Sequence, residues 1–85
     1  MHEPARLGIM AILASGYRAD FTFLKTSLNL SDGNLASHLR TLEEAGYIEV
    51  TKQFIGRRPN TMYKATDRGR AAYESYRKTI LGLLK

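Results

Sequence analysis

The stretch that most constrains this chain is SDGNLASHLRTLEEAG, Ser31 to Gly46, because it carries its own start and stop signals. Ser31 is suited to cap a helix: its hydroxyl can accept a free backbone N–H of the first turn, and Asp32 puts negative charge where the helix dipole favours it. Gly46 can take the left-handed conformation that ends a helix. The interval holds about four turns, roughly 21 Å. Leu35, Leu39 and Leu42 recur at spacings of four and three, so they form one narrow apolar stripe.

Asn34, Ser37, His38 and Thr41 point away from that stripe, with Arg40 beside them. A solvated surface accounts for polar side chains in general. It does not account for amides, hydroxyls and an imidazole with few charges before Arg40. These groups match the donors and acceptors on base edges, which makes the face a candidate for lying in a groove of duplex DNA.

What precedes this helix fixes how it is presented. Asp20 is placed to cap a second helix from Phe21 to Leu28, in which Phe21, Leu24 and Leu28 share a face and Lys25 lies off it. Asn29 and Leu30 then make the turn into Ser31. Two short helices joined so tightly must cross steeply, which is a helix-turn-helix arrangement. Before them, Pro4 suits a first helical turn, and Ala5, Ile9, Ile12 and Leu13, with Met10 beside them, continue that helix to about Ser15 before Gly16 stops it. This helix is mostly apolar, so it is expected to supply core and subunit interface together, with Arg6 as its main exposed charge.

After Gly46 the period changes to two. Ile48 and Val50 alternate with Glu49 and Thr51, and Phe54 and Ile55 end the run, so a strand is predicted. Gly56-Arg57-Arg58-Pro59-Asn60 reads as a turn, and Thr61 to Ala65 returns as a second strand containing Tyr63. The result is a β-hairpin with two arginines at its tip, placed to touch phosphate or enter the minor groove. Thr66 can cap a last helix of about 18 residues. Its apolar positions Ala72, Tyr73, Tyr76, Ile80, Leu83 and Leu84 lie opposite Arg70, Glu74, Arg77 and Lys78. A helix reaching so far past a small core is expected to pack on a second copy, the alternative being a fold back onto the first helix. Ile9, Tyr73, Tyr76, Ile80, Leu83 and Leu84 are the candidate dimer contacts.

The totals bound the function. Eighty-five residues are expected to form a single domain, 1–85, with residues 1–65 as helix-turn-helix and hairpin and 66–85 as the terminal helix. The absence of cysteine rules out a disulfide framework, a thiolate metal site and a redox switch, and accords with a cytoplasmic location. The apolar run Leu7 to Ala14 is too short to span a bilayer, and Glu3 stands where a signal peptide would be positive, so neither export nor membrane insertion is expected. The net charge of +5 is uneven: residues 1–50 carry −2 and residues 51–85 carry +7. Nucleic acid is the natural partner for that field, ahead of an acidic protein or a membrane surface.

Taken together, the order ααα-ββ-α, an α+β and mainly helical arrangement, resembles the winged helix-turn-helix regulators of the MarR and ArsR type. The likeness is greatest to their small stand-alone bacterial and archaeal members. The most specific segments are LSDGNLASHLRTLEEAGYIEV and GRRPNTMYKATDRGR. The resemblance implies DNA-contacting roles for Ser31, Asp32, Asn34, Ser37, His38 and Arg40 on the helix and for Arg57 and Arg58 on the wing. Two departures stand out. Ala65 occupies a place where such proteins usually carry a larger aliphatic, which predicts a less firmly packed wing, and the cysteines used by metal-sensing ArsR-type members are missing. His2 and His38 lie on distant segments, so no metal site is expected.

The expected function is therefore a homodimeric, sequence-specific transcriptional regulator that represses by occupying promoter DNA. Asn34, Ser37 and His38 would read bases, while Arg40, Lys52, Arg57 and Arg58 would hold phosphate. Thr41 shares the reading face, and Asp32 either caps the helix or accepts from cytosine N4. Rival readings are a winged-helix protein-interaction module and a non-specific architectural DNA-binding protein. An enzyme is not expected: His38 has no cysteine partner, Ser37 no evident activating base, and Glu43-Glu44 no pocket. No cofactor is indicated. A small-molecule effector is conceivable in a cleft lined by Tyr17, Tyr73 and Tyr76, although these positions read first as core and interface.

Overall fold

The computed structural model describes residues 3–83. Its elements are α1 (Pro4–Ala14), β1 (Ala19–Asp20), α2 (Phe21–Leu28), α3 (Asp32–Glu44), β2 (Ile48–Ile55), β3 (Arg58–Ala65) and α4 (Asp67–Leu83). The three strands form one antiparallel sheet in the order β1-β3-β2. The fold is a winged helix, α+β and mainly helical.

α1 is the hub. Its apolar character is met within one chain, because α2, α3, α4 and β3 all pack on it. Ile9, Met10 and Leu13 are buried, and they join Leu24, Leu35, Leu39, Leu42, Ala19, Ile48 and Ala65 in the core. Two expectations for this helix are corrected. Ile9 is 0% exposed, so it faces the core and has no surface to offer a second copy. Arg6 is half-buried with its Nε enclosed and without a hydrogen-bond partner, because the surrounding elements close over α1.

Local signals set the helix-turn-helix. The Asp20 carboxylate accepts the Phe23 N–H at 2.8 Å and starts α2. At its end Asn29 adopts φ 53°, and the Leu30 N–H donates to the Lys25 carbonyl at 3.1 Å. An asparagine tolerates the left-handed region better than most side chains. Ser31 caps α3, accepting the Asn34 N–H at 3.2 Å. The Lys25 ammonium meets the Asp32 carboxylate at 2.8 Å and braces the turn. α3 closes with Gly46 at φ 80°: the Gly46 N–H donates to Glu43 at 2.9 Å and the Tyr47 N–H to Leu42 at 3.0 Å. These two bonds satisfy carbonyls that the helix end leaves free.

The hairpin is longer and tighter than the sequence suggests. β3 starts at Arg58, paired with Ile55, while Pro59 faces Phe54 and Asn60 faces Gln53. Only Gly56 and Arg57 form the turn, with φ positive at Gly56 (64°) and not at Arg57, the pattern of a type II′ connection. Arg58 is thus the first strand residue and not part of a five-residue loop. Proline is accommodated because antiparallel pairs alternate: next to the closing pair, the nitrogen of Pro59 points away from β2. On that outer side β1 pairs only with Met62 and Tyr63, so no ladder bond is lost. β1 itself has no signature in the sequence, being two residues whose backbone happens to reach β3. Ala65 is buried opposite Ile48 and belongs to the core.

Candidate nucleic-acid interface

α3 buries Leu35, Leu39 and Leu42 and presents the remainder of its surface outward. Ser31, Asp32, Asn34, Ser37, Arg40 and Thr41 are all exposed, and His38 is half-buried at the flank of the apolar stripe. The predicted reading face is therefore assembled on one helix. Two members are already engaged: the Asp32 carboxylate by Lys25, and the Thr41 hydroxyl, which donates to the Ser37 carbonyl at 3.1 Å. Gly33, between Asp32 and Asn34, has no atom within 4 Å of where a Cβ would stand, so the backbone of the first turn is open to approach.

Charge orients the helix. Its C-terminal end carries exposed Glu43 and Glu44, whereas the N-terminal end offers free N–H groups and the positive end of the helix dipole. A polyanion is therefore met by the N-terminal half, where the candidate readers sit.

The wing supplies the second part. Lys52, Arg57 and Arg58 are exposed along the distal hairpin. Lys64, nearer the body, is paired with Glu49 at 3.4 Å. From Val50 to Thr66 there is no acidic residue, so the outer wing has an unopposed positive field. The sequence reading did not single out Phe54 and Ile55, which are 74% and 61% exposed beside these arginines. The available signal was their position at the far end of β2, past the last residue that reaches the core.

One further connection ties helix and wing to the body. The Thr66 hydroxyl donates to the Gly46 carbonyl at 2.6 Å and accepts the Gly69 N–H at 2.9 Å, so a single side chain joins the end of α3 to the start of α4. Arg70 donates to the Ala65 carbonyl at 3.1 Å and pairs with Asp67, and Arg68 lies 5.8 Å from the Tyr47 ring centroid, a cation–π contact.

The candidate dimer residues divide along α4. Tyr73 packs against the core and Tyr76 is half-buried, so the proximal part of the helix folds back on α1 within the chain. Ile80, Leu81 and Leu83 are 39%, 46% and 76% exposed at the distal end. Leu84 lies outside the described residues. The three tyrosines expected to share a cleft border different ones. Tyr17, 70% exposed and so not a core residue, borders an open apolar cleft of about 630 Å³ with Ile12, Phe23 and Met62, whereas Tyr73 and Tyr76 border a shallow groove of about 150 Å³ against Leu7. Among the described residues no set of three or more His, Asp or Glu side chains is placed to hold a metal ion, and no helix is long and apolar enough to cross a membrane. His2 lies outside the described residues.

Comparison with known proteins places this geometry. The model of the winged helix DNA-binding domain family matches residues 5–84. An uncharacterized protein of Methanocaldococcus jannaschii is 44% identical over 80 residues, covering 94% of this chain and 87% of that protein. A transcriptional regulator homologue from Pyrococcus horikoshii OT3 superposes with a TM-score of 0.88 at 34% identity, over 96% of this chain and 81% of that one. The transcriptional repressor CouR, solved bound to a 23-mer DNA duplex, has a TM-score of 0.84 at 25% identity, over 95% of this chain and 56% of its own. The chain belongs to the winged helix DNA-binding domain family and is a small winged-helix regulator that binds DNA.

Proposed function

We propose that the protein is a sequence-specific transcriptional regulator that acts as a homodimer and represses by occupying promoter DNA. The observation that carries this reading is the pairing of an exposed, nearly uncharged polar face on α3 with a wing whose outer half is free of acidic residues. α3 would enter the major groove by its N-terminal half. There Asn34 is suited to adenine N6 and N7, and His38 to guanine N7 or O6, with Ser37 between them. Arg40, Lys52, Arg57 and Arg58 hold phosphate and fix the register. Asp32, held by Lys25 in the first turn behind the Ser31 cap, serves as a turn brace and a charge favourable to the helix dipole in preference to a base contact.

The dimer is supported by the apolar end of α4. Ile80, Leu81 and Leu83 remain 39%, 46% and 76% exposed at the end of α4, although Ile80 and Leu81 border the groove against Leu7 of α1, on a molecule 51 Å long and only 25 by 20 Å across. Pairing these ends would bury the stripe and set two α3 helices for half-sites about 34–36 Å apart. The relationship to CouR, a repressor seen on duplex DNA, supports the sign of regulation.

The test is selection from a random DNA library with the purified protein, the bound fraction being followed as salt is raised. An enriched two-fold site with steep salt dependence is expected. Salt-sensitive binding without enrichment would replace this reading by an architectural one. No binding even at low salt would favour a protein-interaction module.

A further inference from the structure

The distal wing holds an apolar pair that neither folding nor phosphate binding requires. Phe54 and Ile55 are 74% and 61% exposed at the end of β2. By register they lie on opposite faces of the ribbon, Phe54 across from Pro59 and Ile55 across from Arg58. Apolar groups therefore flank both sides of a tip whose apex, Gly56, has no atom within 4 Å of a would-be Cβ. An exposed hydrophobic hairpin end is a liability for a soluble protein. Here it is surrounded by Lys52, Arg57 and Arg58 with no acid between residues 50 and 66, so the surface repels copies of itself and suits a polyanion.

We propose that Phe54 and Ile55 form the apolar half of a minor-groove contact, resting against the deoxyribose walls while Arg57 and Arg58 hold the phosphates that rim the groove. The proposal rests on the reading of this chain as a DNA-binding regulator whose wing flanks the α3 site. Its geometry is favourable: two strands about 4.8 Å apart end in a two-residue turn whose first residue, Gly56, carries no side chain, so the end of the wing is its slimmest part and suits the narrower groove. Sugars expose C–H surface there, which an apolar side chain can cover and remove from water. The division of labour has a measurable consequence. Arginine contacts release counterions and steepen the salt dependence, whereas an apolar contact adds affinity that salt does not screen.

The experiment measures affinity for the selected duplex between about 50 and 200 mM salt, the range in which phosphate contacts reveal themselves. Wild type, Phe54→Ala, Ile55→Ala and Arg58→Ala are compared, with hydroxyl-radical footprints of each complex. Phe54→Ala is expected to weaken binding about tenfold at every salt concentration, giving a line parallel to wild type, with loss of sugar protection in the minor groove flanking the α3 site. Ile55→Ala repeats the test without disturbing the Phe54–Pro59 pair, so a change in hairpin packing cannot mimic the result. Wild-type binding with undiminished affinity and footprint in both variants overturns the proposal and leaves the DNA-binding reading intact. Failure of wild type to bind any duplex at low salt overturns both.

Discussion

A side chain at Gly69 would place its Cβ 2.0 Å from the carbonyl oxygen of Tyr47 and 2.8 Å from its carbonyl carbon. That carbonyl has little freedom to retreat, because it accepts the Thr66 N–H at 3.0 Å and lies beside the Gly46 carbonyl held by the Thr66 hydroxyl. The first turn of α4 thus sits directly on the chain leaving α3. In an open helix, glycine to alanine gains about 1 kcal/mol. At this position Gly69→Ala is expected to lose about 3 kcal/mol, the upper range for overpacking against atoms that cannot move. A denaturant titration measures it: the midpoint should fall with the slope unchanged, and a neutral or stabilising result would mean that α4 is not locked to the exit of α3.

Gly33 makes the opposite case. It lies in the exposed first turn of α3 with open space around it, so alanine should stabilise the fold by about 0.5–1 kcal/mol. A helix retains such a glycine at a cost to stability when another backbone must come close. Gly33→Ala is therefore expected to raise the unfolding midpoint while weakening DNA binding. Higher stability with unchanged affinity would show that the α3 backbone keeps its distance from phosphate.

These two glycines also show where sequence reading stops. The helix-turn-helix was legible because its signals are local: the caps at Asp20 and Ser31, the stop at Gly46 and the leucine stripe all lie within a turn or two of what they control. Gly69 carries no such signal, since the atom it must avoid is 22 residues away in the chain. β1 was invisible for the same reason, being defined only by its partner on β3. The wing turn was misjudged because Gly56, Pro59 and Asn60 each suit a loop, yet the register uses only Gly56 as one. For the candidate interface, residue types on α3 mark Asn34, Ser37, Arg40 and Thr41 as exposed but do not show that His38 is half-buried beside the leucine stripe. The same reasoning placed Ile9 at a dimer contact, because an apolar residue does not announce whether its cover comes from its own chain.

Tyr63 links the wing to pH. Burial, and then the nearby Glu43 carboxylate, raise its phenol above the usual 10.0. The folded state therefore holds this proton more tightly than the unfolded chain, and the associated stability is complete below pH 10, falling as pH rises from there through the folded-state value. Tyr63→Phe removes the group. Relative to wild type, its unfolding midpoint should decline less as pH rises above 10, measured by parallel denaturant titrations. Identical alkaline profiles for the two proteins would place the phenol in contact with solvent.

The proposed division between base readers and phosphate holders separates two kinds of variant. Asn34 is exposed on α3, and His38 lies half-buried at the flank of the same face. Replacing either by alanine removes donors or acceptors matched to one base pair. Discrimination at that pair should fall by about 1–3 kcal/mol, with the salt slope unchanged. Arg58 opens β3 opposite Ile55 and is exposed at the end of the wing, where the proposed role is to hold phosphate. Arg58→Ala should weaken all sequences nearly equally and flatten the salt slope by about one unit. Library selection repeated with each variant decides between them. A changed preferred sequence for Arg58→Ala would make the wing a reader of base or groove shape, and α3 would no longer account for specificity alone.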